Sequence, residues 1–110
     1  MTSFKKQIPE FKKSINDQLK TILSKSDQSS KELSEAMEYS VMNGGKRIRP
    51  IMMFASAMTI DVSAEHVIDF ATAIELLHSF SLIHDDLPCM DDDSMRRGQP
   101  TTHIKFGEAT

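Results

Sequence analysis

The sequence contains no tryptophan, a single cysteine (Cys89), and only four glycines and four prolines in 110 residues. One cysteine excludes an internal disulfide framework and points to a reducing, cytoplasmic setting. So few turn formers argue against a sandwich of short strands and for helices. No apolar run approaches the ~20 residues of a membrane span. The N-terminus, MTSFKKQIPEFKK, lacks the apolar stretch of a secretory signal. Positive charge is not in excess: the formal net charge is −3, so the strongly basic balance of a nucleic-acid binder is excluded. With 39% apolar and 26% charged residues, the chain fits one small domain with a modest core. No internal repeat or low-complexity tract interrupts it.

Apolar residues recur at helical spacing. Ile8, Phe11, Ile15, Leu19 and Ile22 share one face of a first helix, with lysines mostly off that face. A basic amphipathic helix can lie on a membrane, but a core-facing helix with a solvated back explains the same pattern and is favoured. The polar stretch Ser24 to Ser30 reads as a turn. Ser29 with Glu32 is a capping-box pattern that starts a second helix through Leu33, Met37 and Val41. Asn43-Gly44-Gly45 stops it. Pro50 suits the first turn of a third helix, apolar nearly all round and expected to be buried on several sides. Ser63 is placed to cap a fourth, with Val67, Phe70, Ala71, Ile74, Leu77 and Ser81 at helical spacing. The remainder, from Asp92 to Phe106, is polar and broken by Gly98 and Pro100, and no alternation argues for a strand.

The charge distribution is uneven. Five aspartates fall within nine positions (Asp85, Asp86, Asp91, Asp92, Asp93), and Arg96-Arg97 follows at once. His78, Ser81 and Asp85 share one face of the fourth helix, apolar earlier and acidic at its end. Asp85 and Asp91 fall about 120° apart on a straight helix. The helix must therefore bend or end between them if both are to serve one ion cluster, and Pro88 supplies the cause. Carboxylates this dense repel one another until a cation joins them. All-oxygen ligands select Mg²⁺, or Mn²⁺, over Zn²⁺. On the aspartates alone, an acidic solvated helix end is an equal account.

The cations shift that balance. Arginines beside a metal-binding acidic cluster make sense if a polyanion such as diphosphate bridges the two. A second basic group, Lys46-Arg47-Ile48-Arg49, follows Gly44-Gly45 and enters the third helix, whose N-terminal amides also favour anions. Two basic groups and one acidic group suggest two phosphorylated substrates, one held through metal and one by cations alone.

In these residues the chain resembles the trans-prenyltransferases (polyprenyl synthetases), most closely their bacterial farnesyl diphosphate synthases. Gly44-Gly45-Lys46-Arg47-Ile48-Arg49-Pro50 matches the family's basic motif. Asp85-Asp86-Leu87-Pro88-Cys89-Met90-Asp91 matches its first aspartate-rich motif, and Arg96-Arg97-Gly98-Gln99-Pro100-Thr101-Thr102-His103 the segment after it. The resemblance implies an all-α, antiparallel helical bundle of the isoprenoid synthase type around a central cavity. It implies that Asp85 and Asp91, with Asp86 in support, hold Mg²⁺ on an allylic diphosphate that Arg96 also touches. Lys46, Arg49, His78 and Arg97 would bind isopentenyl diphosphate. Phe80 would limit product length at fifteen carbons, beside the small Ser81. The implied reaction joins isopentenyl diphosphate to dimethylallyl and then geranyl diphosphate through an allylic carbocation. A geranylgeranyl diphosphate synthase is the alternative within the class. A non-catalytic helical protein binding Mg²⁺ and diphosphates, or a subunit of a split enzyme, is the alternative outside it.

The family's domain is longer, with a second aspartate-rich motif on a later helix, and these 110 residues hold no such motif. Residues 1–110 are therefore expected to be the N-terminal portion of a single polyprenyl synthetase domain. The bundle would be incomplete in this chain, with an exposed apolar face and no turnover on its own. The helices that pair family members as homodimers would lie beyond Thr110.

Overall fold

A computed structural model describes residues 2–25 and 30–110 of the chain. The long helix α1 (Thr2–Lys25) leads into α2 (Lys31–Met42), α3 (Ile48–Thr59) and α4 (Ile68–Asp86). A single 3₁₀ turn (Ala64–His66) precedes α4. Beyond α4, β1 (Met95–Arg96) and β2 (Gln99–Pro100) form an antiparallel hairpin, and a short helix, α5 (Thr102–Phe106), follows. The all-α expectation holds, with the four main helices packed on one another. Among the described residues, no helix is long and apolar enough to cross a membrane.

The core forms where α1 meets the other three. Ile15, Leu19 and Leu23 of α1, Val41 of α2, Phe54 of α3 and Ala71 of α4 are buried together, and Phe11 stacks on Phe54 at 4.7 Å between ring centroids. The first helix therefore buries the face expected of it, but its last turn uses Leu23, leaving Ile22 exposed. Lys5, Lys6, Lys13 and Lys20 remain on the solvated back.

The helix boundaries depart from expectation in three places. Ser24 and Lys25 still belong to α1. Ser29, read as the cap of α2, lies outside the described residues. Ser30 holds the N-cap position instead, in extended conformation, and its Oγ accepts from the Leu33 amide at 3.2 Å. Ser63 caps no helix: it precedes the 3₁₀ turn, and its hydroxyl meets His66 Nδ1 at 3.0 Å. The third helix is less buried than expected. Pro50, Phe54 and Ala57 face the core, but Ile48, Met52 and Met58 are exposed.

The usual rule of apolar inside and polar outside is inverted in α4. Its buried residues are Ala71, Thr72, Glu75, Ser79 and Asp86. Phe70, Leu77 and Phe80 are 69%, 66% and 61% exposed, with Ile74 beside them. These apolar side chains fall within about 120° of arc. A contiguous exposed apolar stripe of this kind marks a surface for a ligand or another element.

The hairpin was invisible to the sequence reading. Two residues per strand are too few to show alternation. Arg97 (φ 52°) and Gly98 (φ 75°) form its turn, both in the left-handed region that two-residue hairpins need. The Tyr39 hydroxyl of α2 donates to the Pro100 carbonyl at 2.6 Å and anchors the hairpin. His103, a motif residue with no assigned chemistry, is buried, with Nδ1 3.3 Å from the Thr101 hydroxyl.

Candidate active site

The acidic motif sits where α4 ends. Leu87, the residue before Pro88, is extended (φ −61°, ψ 154°), as the proline ring demands, and the helix stops at Asp86. The chain then folds back over the last carbonyls. The Asp91 amide donates to the Asp85 carbonyl at 2.8 Å, the Asp92 amide to Leu87 at 3.0 Å, and the Asp93 amide to Asp86 at 3.1 Å. Asp92 takes a left-handed conformation (φ 55°), which aspartate tolerates. The 120° separation of Asp85 and Asp91 is thus removed by ending the helix, and their backbones lie side by side.

The three aspartates are not equivalent. Asp85 has a half-exposed side chain, 3.9 Å from His84 Nδ1, and Asp91 is exposed. Asp86 is buried, and Arg96 grips it with two parallel bonds: Nε to Oδ2 at 3.0 Å and Nη2 to Oδ1 at 2.7 Å. That hydrogen bond holds the Arg96 guanidinium above its ordinary pKa, and its proton is fixed. Among the described residues, no three His, Cys, Asp or Glu side chains gather as a closed metal site. The donor set nevertheless fits Mg²⁺, which takes one or two carboxylates and fills its remaining positions with water and phosphate oxygen. Asp85 and Asp91 would supply those carboxylates. Asp86 is committed to Arg96.

The basic motif forms a second site. Gly44 (φ 92°) and Gly45 (φ 113°) turn the chain out of α2 in a conformation that side chains rarely adopt. A Cβ on Gly45 would meet Arg97 Nη2 at 3.5 Å and Arg47 Nη1 at 3.6 Å, so the glycine lies between two guanidinium groups. An open cavity of about 490 Å³ is lined by Gly45, Lys46, Ile48, Arg49, His78 and Arg97, with Arg47 and Glu75 at its base. All four residues expected to bind isopentenyl diphosphate are therefore brought together, from three separate segments. Arg49 Nη1 lies 3.2 Å from His78 Nε2.

His78 titrates below its ordinary value of 6.5, first because burial disfavours its charged form, then because Arg49, Arg97 and Arg96 repel the proton; Glu75 opposes them. The sign for stability follows. A histidine whose folded pKa is depressed costs nothing above 6.5. Below that value the unfolded chain takes the proton first, and stability falls until pH passes the folded pKa. His78→Gln should flatten the loss of stability as pH falls below 6.5, read as urea midpoints at each pH. An unchanged slope would remove His78 as its source.

The sequence reading missed Arg47 and Glu75. Arg47 belongs to the basic run, yet its side chain is 4% exposed and its Nη1 meets Glu75 Oε1 at 2.7 Å. One signal was available: Glu75 is an isolated acid in an otherwise apolar stretch of α4, which calls for a buried cation. Phe80 and Ser81 lie on α4 between the two sites. Ser81 is half-buried, with its hydroxyl donating to the His78 carbonyl at 2.7 Å, and Phe80 projects into the exposed stripe.

Comparison with known proteins identifies the family of the chain. The farnesyl diphosphate synthase of Bacillus subtilis is 46% identical over 110 residues, which is all of this chain and 36% of the relative. The chloroplastic geranylgeranyl pyrophosphate synthase of Capsicum annuum is 49% identical over 76 residues, 69% of this chain and 21% of the relative. The crystal structure of a geranyltransferase from Legionella pneumophila superposes with a TM-score of 0.92 at 38% identity, covering 98% of this chain and 38% of that one. The chain thus spans about a fifth to two fifths of the length of these relatives. Residues 30–110, which carry both motifs and the hairpin between the two sites, match the family model for polyprenyl synthetases, and the chain belongs to that family.

Proposed function

We propose that this chain carries the two diphosphate-binding sites of a trans-prenyltransferase of the farnesyl diphosphate synthase type. Residues 1–110 would then be the N-terminal portion of one polyprenyl synthetase domain. The observation that carries the reading is the pairing of two unlike sites along α4. One is a cavity lined by the cations Lys46, Arg49 and Arg97 together with His78. The other is the Asp85–Asp91 pair, about 10 Å further along the helix axis.

The division suits two substrates of opposite fate. Isopentenyl diphosphate keeps its diphosphate, and cations and a histidine alone can hold it. The allylic diphosphate must lose its diphosphate, and Mg²⁺ held by Asp85 and Asp91 supplies stabilisation of charge on the departing group. Arg96, held by Asp86, presents its remaining donor edge to the same group. The exposed stripe of Phe80, Leu77, Ile74 and Phe70 runs back along α4 from Asp85 and supplies an apolar wall for the hydrocarbon tail. Such a wall excludes water from a carbocation. The single exposed thiol, Cys89, suits a reducing, cytoplasmic setting. The intact enzyme would be a homodimer, and these 110 residues would bind substrates without turning them over.

Relatives named for farnesyl and for geranylgeranyl products match at similar identity, so product length rests on particular residues. Phe80 fits the role of floor because its ring stands in the tail's path. In a turnover-competent enzyme carrying this sequence, Phe80→Ala should shift the product beyond fifteen carbons, read by chromatography of the dephosphorylated alcohols. An unchanged product would remove Phe80 from that role.

Calorimetric titration of the chain tests the reading. Isopentenyl diphosphate should bind with or without Mg²⁺, whereas geranyl diphosphate should bind appreciably only with it. Failure of both ligands to bind would overturn the proposal. Isopentenyl diphosphate binding that itself requires Mg²⁺ would overturn the division into two sites.

A further inference from the structure

Building on that reading, we propose that Arg47 and Glu75 are positioning residues for the isopentenyl diphosphate cavity: a buried brace that aims Lys46, Arg49 and His78 without touching the ligand.

Arg47 sits in the middle of a basic motif and is the one charged member of it that is buried. Each of its three guanidinium nitrogens donates inside the protein. Nε donates to Asn16 Oδ1 of α1 at 2.9 Å, Nη1 to Glu75 Oε1 of α4 at 2.7 Å, and Nη2 to the Val41 carbonyl of α2 at 2.8 Å. One side chain thus ties three helices to the N-terminus of a fourth. Its backbone takes a left-handed conformation (φ 56°) at the N-cap of α3, with no side-chain cap of its own. A non-glycine residue holds such a conformation only when its surroundings fix it. The fixed turn sends the Arg47 side chain inward and leaves Lys46 and Arg49, on either side, exposed.

Glu75 completes the arrangement from the opposite wall. It lies three residues before His78 on α4, so the Arg47–Glu75 bond sets the distance between the start of α3 and the part of α4 that carries His78. Arg49 and His78 meet across that distance at 3.2 Å. Stability alone does not call for such a pair, since apolar residues of similar volume fill buried sites as well or better. What apolar residues cannot supply is the fixed fork that holds three acceptors at once.

The test separates aiming from folding. Arg47→Lys keeps the charge opposite Glu75 and gives up the fork. Isopentenyl diphosphate affinity, measured by calorimetry, should fall about tenfold in Arg47→Lys. The same change in an Arg49→Ala background should cost clearly less than tenfold, because part of its effect passes through Arg49. Helix content and urea midpoint report the fold of each variant. Arg47→Met with Glu75→Leu, an apolar exchange that should keep the fold, should lose affinity likewise. Affinity equal to the parent's in either folded variant would overturn the brace and leave the two-site reading standing. So would a full, additive loss in the Arg49→Ala background. Failure of both variants to fold would also overturn it, by making the pair a stability element. A parent chain that binds no isopentenyl diphosphate would overturn both proposals together.

Discussion

Glu75→Leu should cost the protein about 3–5 kcal/mol of stability, a large part of the roughly 5–15 kcal/mol of a typical domain. The substitution adds apolar volume at a buried position, so a count of apolar contacts alone would expect little harm. The harm comes from what stays behind. Arg47 is always charged, its side chain is 4% exposed, and its strongest partner is the Glu75 carboxylate. Without that partner a guanidinium remains in a dry site with only Asn16 and the Val41 carbonyl to solvate it. Urea denaturation should show a large fall in midpoint for Glu75→Leu and recovery of most of it when Arg47→Met is added. A single-variant loss below about 1 kcal/mol would mean that the pair behaves as a solvated surface bridge.

Lys46→Ala combined with Arg97→Ala should weaken isopentenyl diphosphate binding by at least roughly a hundredfold. Each charged hydrogen bond to phosphate contributes about 1.5–3 kcal/mol, so two together reach about 3 kcal/mol or more. Both side chains belong to exposed residues lining the cavity, so the stability read by urea denaturation should stay within about 0.5 kcal/mol of the parent. Two residues of one motif therefore differ in what they affect: Lys46 acts on binding alone, whereas Arg47 acts on stability and, through the aim of its neighbours, on binding. Asp85→Asn with Asp91→Asn gives the complementary control. It should abolish the Mg²⁺-dependent gain in geranyl diphosphate binding and leave isopentenyl diphosphate binding untouched. Binding that survives the Lys46–Arg97 pair of substitutions would remove the cavity from the mechanism.

Much of this site could be read along the chain, because the signals that encode it are local. Helical spacing placed Ile15 and Leu19 on the buried face of α1, since residues three and four apart share a face whatever they pack against. Gly44-Gly45 and Pro88 ended their helices for reasons confined to one or two residues. The change from apolar to acidic along α4 was equally legible, and so was the need for a break between Asp85 and Asp91.

The assignment of partners was not legible, because it depends on how helices rotate against one another. Asp85 and Asp86 are neighbours with identical side chains. Only the packing of α4 turns Asp86 inward, where Arg96, ten positions later, meets it on a hairpin too short to leave a pattern. Arg47 and Lys46 are likewise adjacent and alike in charge. The left-handed turn at Arg47 sends one into the protein, toward an acid 28 positions away, and leaves the other at the cavity. The sequence by itself determined the four main helices, the breaks at Gly44-Gly45 and Pro88, and which charges gather near the end of α4. Tertiary structure alone decided which of two adjacent like charges is spent on holding the fold and which is left free for a ligand. Desolvation is the reason: a buried charge must find its partner inside the protein, and packing, not sequence proximity, decides which charges are buried.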